Sequence, residues 1–209
     1  MAKMLVLQKF IMIVIVLCSC KGQHPVNSTL PQQKTRVIYI RELVNRIDRI
    51  TLPYKHNLVS DSEKTCSYTY NEHGYDTLFL KPEQAQIIGL LPDTSKFFGI
   101  LYFYPGDDMV PCLVTFSKTG IQIDDQSLTN STCAGGGCDI DSCNAETFID
   151  KSLEISMWQR TVITECDDKG EKKKNAASLI YIQQKGHINE EGKIMLNKPE
   201  KKTISLPGK

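Results

Sequence analysis

The chain has no surplus of either charge. Its 25 Lys and Arg stand against 24 Asp and Glu, a net charge of +1 at pH 7. A chain so balanced exerts no global attraction on a polyanion, so nucleic acid is not expected as a partner. It also lacks an apolar run of the roughly 18–20 residues that a membrane-spanning helix needs. There is one Trp, and there are four His. No His-Glu-x-x-His, Walker or Gly-x-Gly-x-x-Gly pattern occurs, no Ser lies in a nucleophile elbow, and no Cys lies in a protease signature. The motifs therefore support no catalytic residue, no cofactor and no metal centre. What is present, 41% apolar and 23% charged residues over 209 positions, is the composition of one folded domain with a little left over.

The first twenty residues have a distinct organisation. Lys3 and Lys9 are the only charges before Lys21, and the apolar run Phe10-Ile-Met-Ile-Val-Ile-Val-Leu-Cys18 follows them. A charged n-region ahead of a short apolar core is the pattern of an export signal, too short to span a bilayer. It ends in Leu17-Cys18-Ser19-Cys20. Small residues before a scission point fit a narrow peptidase pocket, and a Cys just after it offers a thiol for acylation. This ending resembles the lipobox of bacterial lipoproteins, and with the Cys-Lys start and β-rich body it resembles the small lipoproteins of Bacteroidota-type bacteria. The resemblance covers the leader and general organisation. It implies that residues 1–19 are a lipoprotein signal peptide, that Cys20 is the lipidated (palmitate-class) first residue of the mature chain, and that the protein sits in the cell envelope. That places it at the outer membrane, with the membrane as its first partner. Cys18 stands where small aliphatic or hydroxyl residues are commoner.

Loss of residues 1–19 removes Lys3 and Lys9 from the 25 basic residues and no acidic one, so the mature chain is close to neutral. Residues 20–35 are polar, contain Pro25 and Pro31, and show no apolar period; they read as a flexible tether. Residues 36–209 read as a single β-rich globular domain.

Export changes what the remaining cysteines mean. Cys66, Cys112, Cys133, Cys138, Cys143 and Cys166 form an even set, and outside the cytoplasm an even set is most simply paired as disulfides. Six cysteines allow 15 connectivities. Local spacing favours a staple inside Cys133-Ala-Gly-Gly-Gly-Cys138-Asp-Ile-Asp-Ser-Cys143, because nearby Cys can reach disulfide separation and the glycine run needs fixing. Two metal alternatives compete: a four-thiolate zinc site from Cys133, Cys138, Cys143 and Cys166, and a calcium loop opening at Asp139 and Asp141 and closing at Asp150. The calcium pattern has Asn144 at its sixth position, where the turn needs Gly, and Asp150 at its twelfth in place of Glu.

Val37, Ile40, Val44 and Ile47 recur at helical spacing, predicting a short amphipathic helix over 36–50 that Leu52-Pro53 breaks. Short apolar runs then alternate with turn signals. These are 87–91, 97–104, 109–116 and 120–123, followed by 153–165, 177–183, 187–196 and 203–206. Ser117-Lys-Thr-Gly120 and Asn189-Glu-Glu-Gly192 share one hairpin pattern, and Asp167–Asn175 reads as a long charged tip. Residues 81–86 offer one peripheral helical turn. The fold expected is all-β: a single antiparallel meander, sandwich or partly closed barrel, with short helices at its edges.

Phe97, Phe98, Tyr102, Phe103 and Tyr104 are the one stretch suggestive of a sugar-stacking platform, but their alternation is better met by a strand buried on both faces, and Trp158 reads the same way. The function expected is a non-catalytic, lipid-anchored envelope protein binding an envelope protein or a glycan. The alternatives are a secreted hydrolase, in which two or more of Asp107, Asp108, Glu146, His56 and His73 converge in a cleft, and a metal-stabilised adhesion module.

Overall fold

The computed structural model describes residues 29–58, 79, 85–93, 95–104, 109–130, 133 and 140–207. The leader, Cys20, Cys66, Cys138, His73, Asp107, Asp108 and most of 81–86 lie outside them, and of the last only Ala85 and Gln86 are described.

One helix, α1 (Thr29–Arg46), precedes the strands. It starts seven residues ahead of the expected boundary, so the end of the stretch read as tether is helical. Pro31 lies in its first turn, where a missing N–H removes no intrahelical bond. Ile40, Leu43 and Val44 on α1, with Ile47 just beyond it, are buried at i, i+3, i+4 and i+7. Among the described residues ten strands follow: β1 (Tyr54–Asn57), β2 (Gln86–Leu90), β3 (Phe98–Tyr104), β4 (Val110–Phe116), β5 (Gln122–Ser127), β6 (Ile140–Ile149), β7 (Glu154–Cys166), β8 (Lys172–Ile188), β9 (Ile194–Leu196) and β10 (Glu200–Ser205). Gln86, expected to end a helical turn, opens β2 instead.

The strands make two antiparallel sheets, and neither closes into a barrel. One is the meander β2-β3-β4-β5; the other runs β1-β6-β7-β8-β10, with β9 also on β8. The sandwich form of the expected fold is therefore the one adopted, with one 18-residue helix among the described residues.

The four-stranded sheet is the middle layer. Phe98, Ile100 and Tyr102 of β3 and Cys112, Val114 and Phe116 of β4 pack with Ile40, Leu43, Val44 and Ile47. Between these positions, Leu101 and Leu113 point the other way, into a second cluster with Ile149, Ile155, Met157, Ile188 and Ile194 of the six-stranded sheet. The near-continuous apolar sequence of β3 follows from this burial on both faces; Tyr104, at its end, is exposed.

Side chains close one edge of the sandwich. Thr115 Oγ1 donates to the Gly192 carbonyl at 2.6 Å, the Ile194 N–H donates to Asp124 Oδ2 at 3.0 Å, and Thr147 Oγ1 donates to the Leu128 carbonyl.

One turn recurs four times, at Ser117–Gly120, Asp150–Leu153, Asp167–Gly170 and Asn189–Gly192. In each, the fourth residue's N–H donates to the first residue's carbonyl, at 3.0–3.2 Å. The first residue's side-chain oxygen accepts from the N–H groups of the third and fifth. Such a turn puts its fourth residue at positive φ, where Gly pays no Cβ penalty. Gly120, Gly170 and Gly192 satisfy this at φ 78°, 82° and 85°; Leu153 adopts φ 64° without that freedom. The Asp167 turn is complete at Glu171, and β8 already includes Lys172–Asn175, so the tip is much shorter than the sequence suggested.

Candidate functional site

The cysteines divide by sheet. Cys133 and Cys143 form a disulfide with Cα atoms 5.6 Å apart, stapling the approach to β6 onto that strand. Cys166 is also disulfide-bonded. Cys112, expected among the paired cysteines, is instead a free buried thiol. It faces α1 inside the helix-side cluster, whereas the other described cysteines lie on the six-stranded sheet or just before it, out of its reach. Burial pushes its thiol up to about 11. Of the four cysteines in the zinc alternative, Cys133, Cys143 and Cys166 are disulfide-bonded and have no thiolate to give a metal, and Cys138 lies outside the described residues. The calcium alternative fails on geometry. Asp141 to Asn144 are in β6, where successive side chains alternate between faces. Asp141, moreover, holds Lys172 and the Thr164 hydroxyl, which keep its carboxyl below the usual range.

The two described members of the hydrolase set do not converge. His56 pairs in register with Thr147, and Asn57 with Glu146. His56 is therefore on the inner face, buried with its ring 4.9 Å from that of Phe103, and Glu146 points out of the sandwich.

A half-buried polar contact crosses the four-stranded sheet, from buried Tyr102 to exposed Asp125. The Tyr102 hydroxyl donates to Asp125 Oδ1 at 2.9 Å. Burial raises both groups: the phenol lies far above its ordinary value, and the Asp125 carboxyl is lifted first by desolvation, then by its neighbour Asp124. The contact ties β3 to β5 across β4.

The outer face of the six-stranded sheet is different. Ile155, Met157, Gln159 and Thr161 of β7 are buried inward, so Ser156, Trp158, Arg160 and Val162 face outward. The register extends each into a row across the sheet. Trp158 lies opposite Glu146 on one side and Gln183 on the other, and Gln183 lies opposite Glu200. Arg160 lies between Asn144 and Tyr181, with Lys202 beyond. Ser156 lies between Phe148 and Lys185. Phe148, Trp158 and Tyr181 are half-buried and belong to neither core cluster.

Trp158 is held in place. Its indole Nε1–H donates to Glu146 Oε1 at 3.2 Å, and Lys55 Nζ pairs with the other oxygen, Oε2, at 2.6 Å. Beside it, Gln183, Lys185, Asn197, Lys198 and Glu200 line a depression of about 140 Å³. At the far end of the face, Phe148 contributes to a wider depression of about 460 Å³ with Pro53, Asp150, Lys151 and Ser152.

The aromatic stretch 97–104 is core apart from Tyr104, as its alternation predicted. Trp158, expected in the core too, lies on the outer face. Its flanking Ser156 and Arg160 carried that signal: in a period-2 strand they assign it to the polar face.

The chain matches no family model, no curated protein and no solved structure. Among the described residues, no helix is long and apolar enough to cross a membrane.

Proposed function

We propose that this chain is a lipid-anchored protein of a bacterial cell envelope, held to a membrane by an acylated Cys20, whose β-sandwich binds a macromolecular or glycan partner and does not turn over a substrate. The observation that carries the reading is the leader: Lys3 and Lys9, the run Phe10–Cys18 and the closing Leu17-Cys18-Ser19-Cys20 fall at the spacing of an export signal with a lipidation site. Several acyl chains on one Cys hold a protein stably where one would not. The Cys133–Cys143 disulfide suits an oxidising compartment. A partner-binding role is favoured over hydrolysis by the opposed directions of His56 and Glu146 and by a side-chain-rich outer face beside two shallow depressions.

Metabolic labelling with a fatty acid, followed by membrane fractionation, tests the anchor. The chain is expected to take up label and sediment with the envelope, and Cys20→Ala is expected to abolish both. Label retained by Cys20→Ala, or an unprocessed chain in the soluble cytoplasmic fraction, would overturn the reading.

A further inference from the structure

We propose that the outer face of the six-stranded sheet is a binding site for an acidic glycan, a chain of pyranose rings bearing carboxylates, with Trp158 as its stacking platform. This rests on the partner-binding reading above and names the ligand class for it.

Three observations converge. First, the ring of Trp158 is fixed, because Glu146 holds its N–H and Lys55 holds Glu146. A pre-oriented aromatic side chain loses little entropy on binding, and the electron-rich ring face attracts the polarised C–H groups on one side of a pyranose. Second, the row through Trp158 continues into Gln183 and Glu200 beside a polar depression. At about 4.8 Å between strands, the four positions Glu146, Trp158, Gln183 and Glu200 span about 14 Å of flat surface. Planar amide and carboxylate groups at the end of an aromatic surface suit vicinal hydroxyls, which both donate and accept.

Third, charge selects within the glycans. Lys55 and Glu146 neutralise each other. Arg160, Lys185, Lys198 and Lys202 then stand against Glu154 and Glu200, a basic excess on a chain that is otherwise balanced. The Arg160 guanidinium is suited to a bidentate grip on a carboxylate. Phe148, Trp158 and Tyr181 are diagonal neighbours across β6, β7 and β8, flanked by Glu146, Arg160, Gln183 and Lys185, so the aromatic surface is set in a polar, basic surround. The next row, Val162, Leu179 and Ile204, is apolar and borders the site.

Trp158 is the only tryptophan in the chain, so intrinsic fluorescence reports on this face directly. The full chain, purified in detergent, is titrated with polygalacturonate, with neutral dextran and with polyglutamate, an anionic polymer without sugar rings. Saturable fluorescence change is expected with polygalacturonate alone. In affinity electrophoresis, Trp158→Ala is expected to weaken retention about tenfold. Lys185→Gln, on the surface and away from the core, should weaken it severalfold and flatten its salt dependence. Equal binding of polyglutamate, equal binding of dextran, no binding of polygalacturonate, or binding indifferent to both variants would each overturn the proposal. So would concentration-dependent dimerisation that is lost in Ile204→Lys and undisturbed by polygalacturonate, which would make the face a self-interface. Because this binding does not require the anchor, its failure leaves the Cys20 labelling result intact.

Discussion

Strands β3 and β7 both alternate their side chains between two faces and both carry aromatic residues, four in β3 and Trp158 alone in β7, yet the two sheets put them to opposite uses. In the four-stranded sheet, Phe98, Tyr102 and Phe103 are buried, because α1 covers one face and the second sheet covers the other. In the six-stranded sheet, only the inner face meets that core, and Trp158 and Tyr181 stand on the other side among charged and amide residues. Composition does not separate the two cases; the number of covered faces does. A residue's worth to stability should therefore follow its layer and not its type.

The largest effect tests that statement. Phe116 is almost fully buried and meets Phe79 edge-on at 5.5 Å between ring centroids. Phe116→Ala is expected to cost about 3–5 kcal/mol in urea unfolding, from lost transfer energy and the cavity left behind. Trp158→Ala removes a larger side chain from the half-covered face and is expected to cost about 1 kcal/mol. Equal losses would mean that the outer face is as closed as the core.

The sulfurs sharpen the same contrast. The Cys133–Cys143 bond closes a loop of sequence separation 10, and removing it with the double variant Cys133→Ala/Cys143→Ala should cost about 2–3 kcal/mol through the freed unfolded chain. Cys112, with its thiol pushed up to about 11 by burial, should resist alkylation at neutral pH until the chain unfolds. Rapid alkylation of Cys112 in the native protein would show that the helix layer opens.

The turns give a smaller and more discriminating measure. The Gly170 turn at the open end has nothing within 4 Å of where a Cβ would sit, whereas at Gly120 the Arg36 carbonyl is 3.1 Å away and the Ile40 side chain 3.3 Å. Gly170→Leu should then show the bare cost of a leucine at positive φ, about 1–2 kcal/mol. Gly120→Ala should cost more than Gly170→Ala, because α1 must yield. Leu153 already occupies the equivalent position and packs against the second core cluster. Leu153→Gly relieves the backbone and removes the packing, so its net change should stay within about 1 kcal/mol.

Much of this was legible in the residues. Ile40, Val44 and Ile47 announce the helix by their period, and the polar turns ending in Gly120 and Gly192 announce their hairpins, because local chemistry decides both. The Asp150 turn escaped notice because Leu153 stands where Gly is the signal, and its strain is offset by tertiary packing that no local window contains. The pairing of β1 with β6, nearly ninety positions apart in the chain, was equally hidden, and with it the separation of His56 from Glu146. Register decided that a cysteine at 112 meets Tyr102 and Ser127 in place of another sulfur. The outward face of Trp158 was readable from Ser156 and Arg160. Its grip by Glu146 and its row with Gln183 and Glu200 required the sheet.

The smallest expected effect is electrostatic and concerns β5, the edge strand of the four-stranded sheet. Burial raises the Asp125 carboxyl in the folded chain above its ordinary value, with the Tyr102 hydrogen bond opposing the rise. Between the ordinary and the raised values, the folded state binds more protons than the unfolded one, so this group's contribution is fully present below the ordinary carboxylate range and is lost as pH climbs through the raised value. Asp125→Asn keeps an oxygen acceptor for Tyr102 and removes the charge. Its stability should match that of the parent near pH 3 and exceed it at pH 7, by less than about 1 kcal/mol because solvent screens the exposed part of the carboxylate. Tyr102→Phe removes the bond that holds the carboxyl down and should steepen the same dependence. Asp141 and Asp150 have the opposite sign, since hydrogen bonds lower them and acid removes their contribution, so only the difference between variant and parent isolates Asp125. A difference that grew as the pH fell would mean that desolvation does not raise the Asp125 carboxyl in the folded chain.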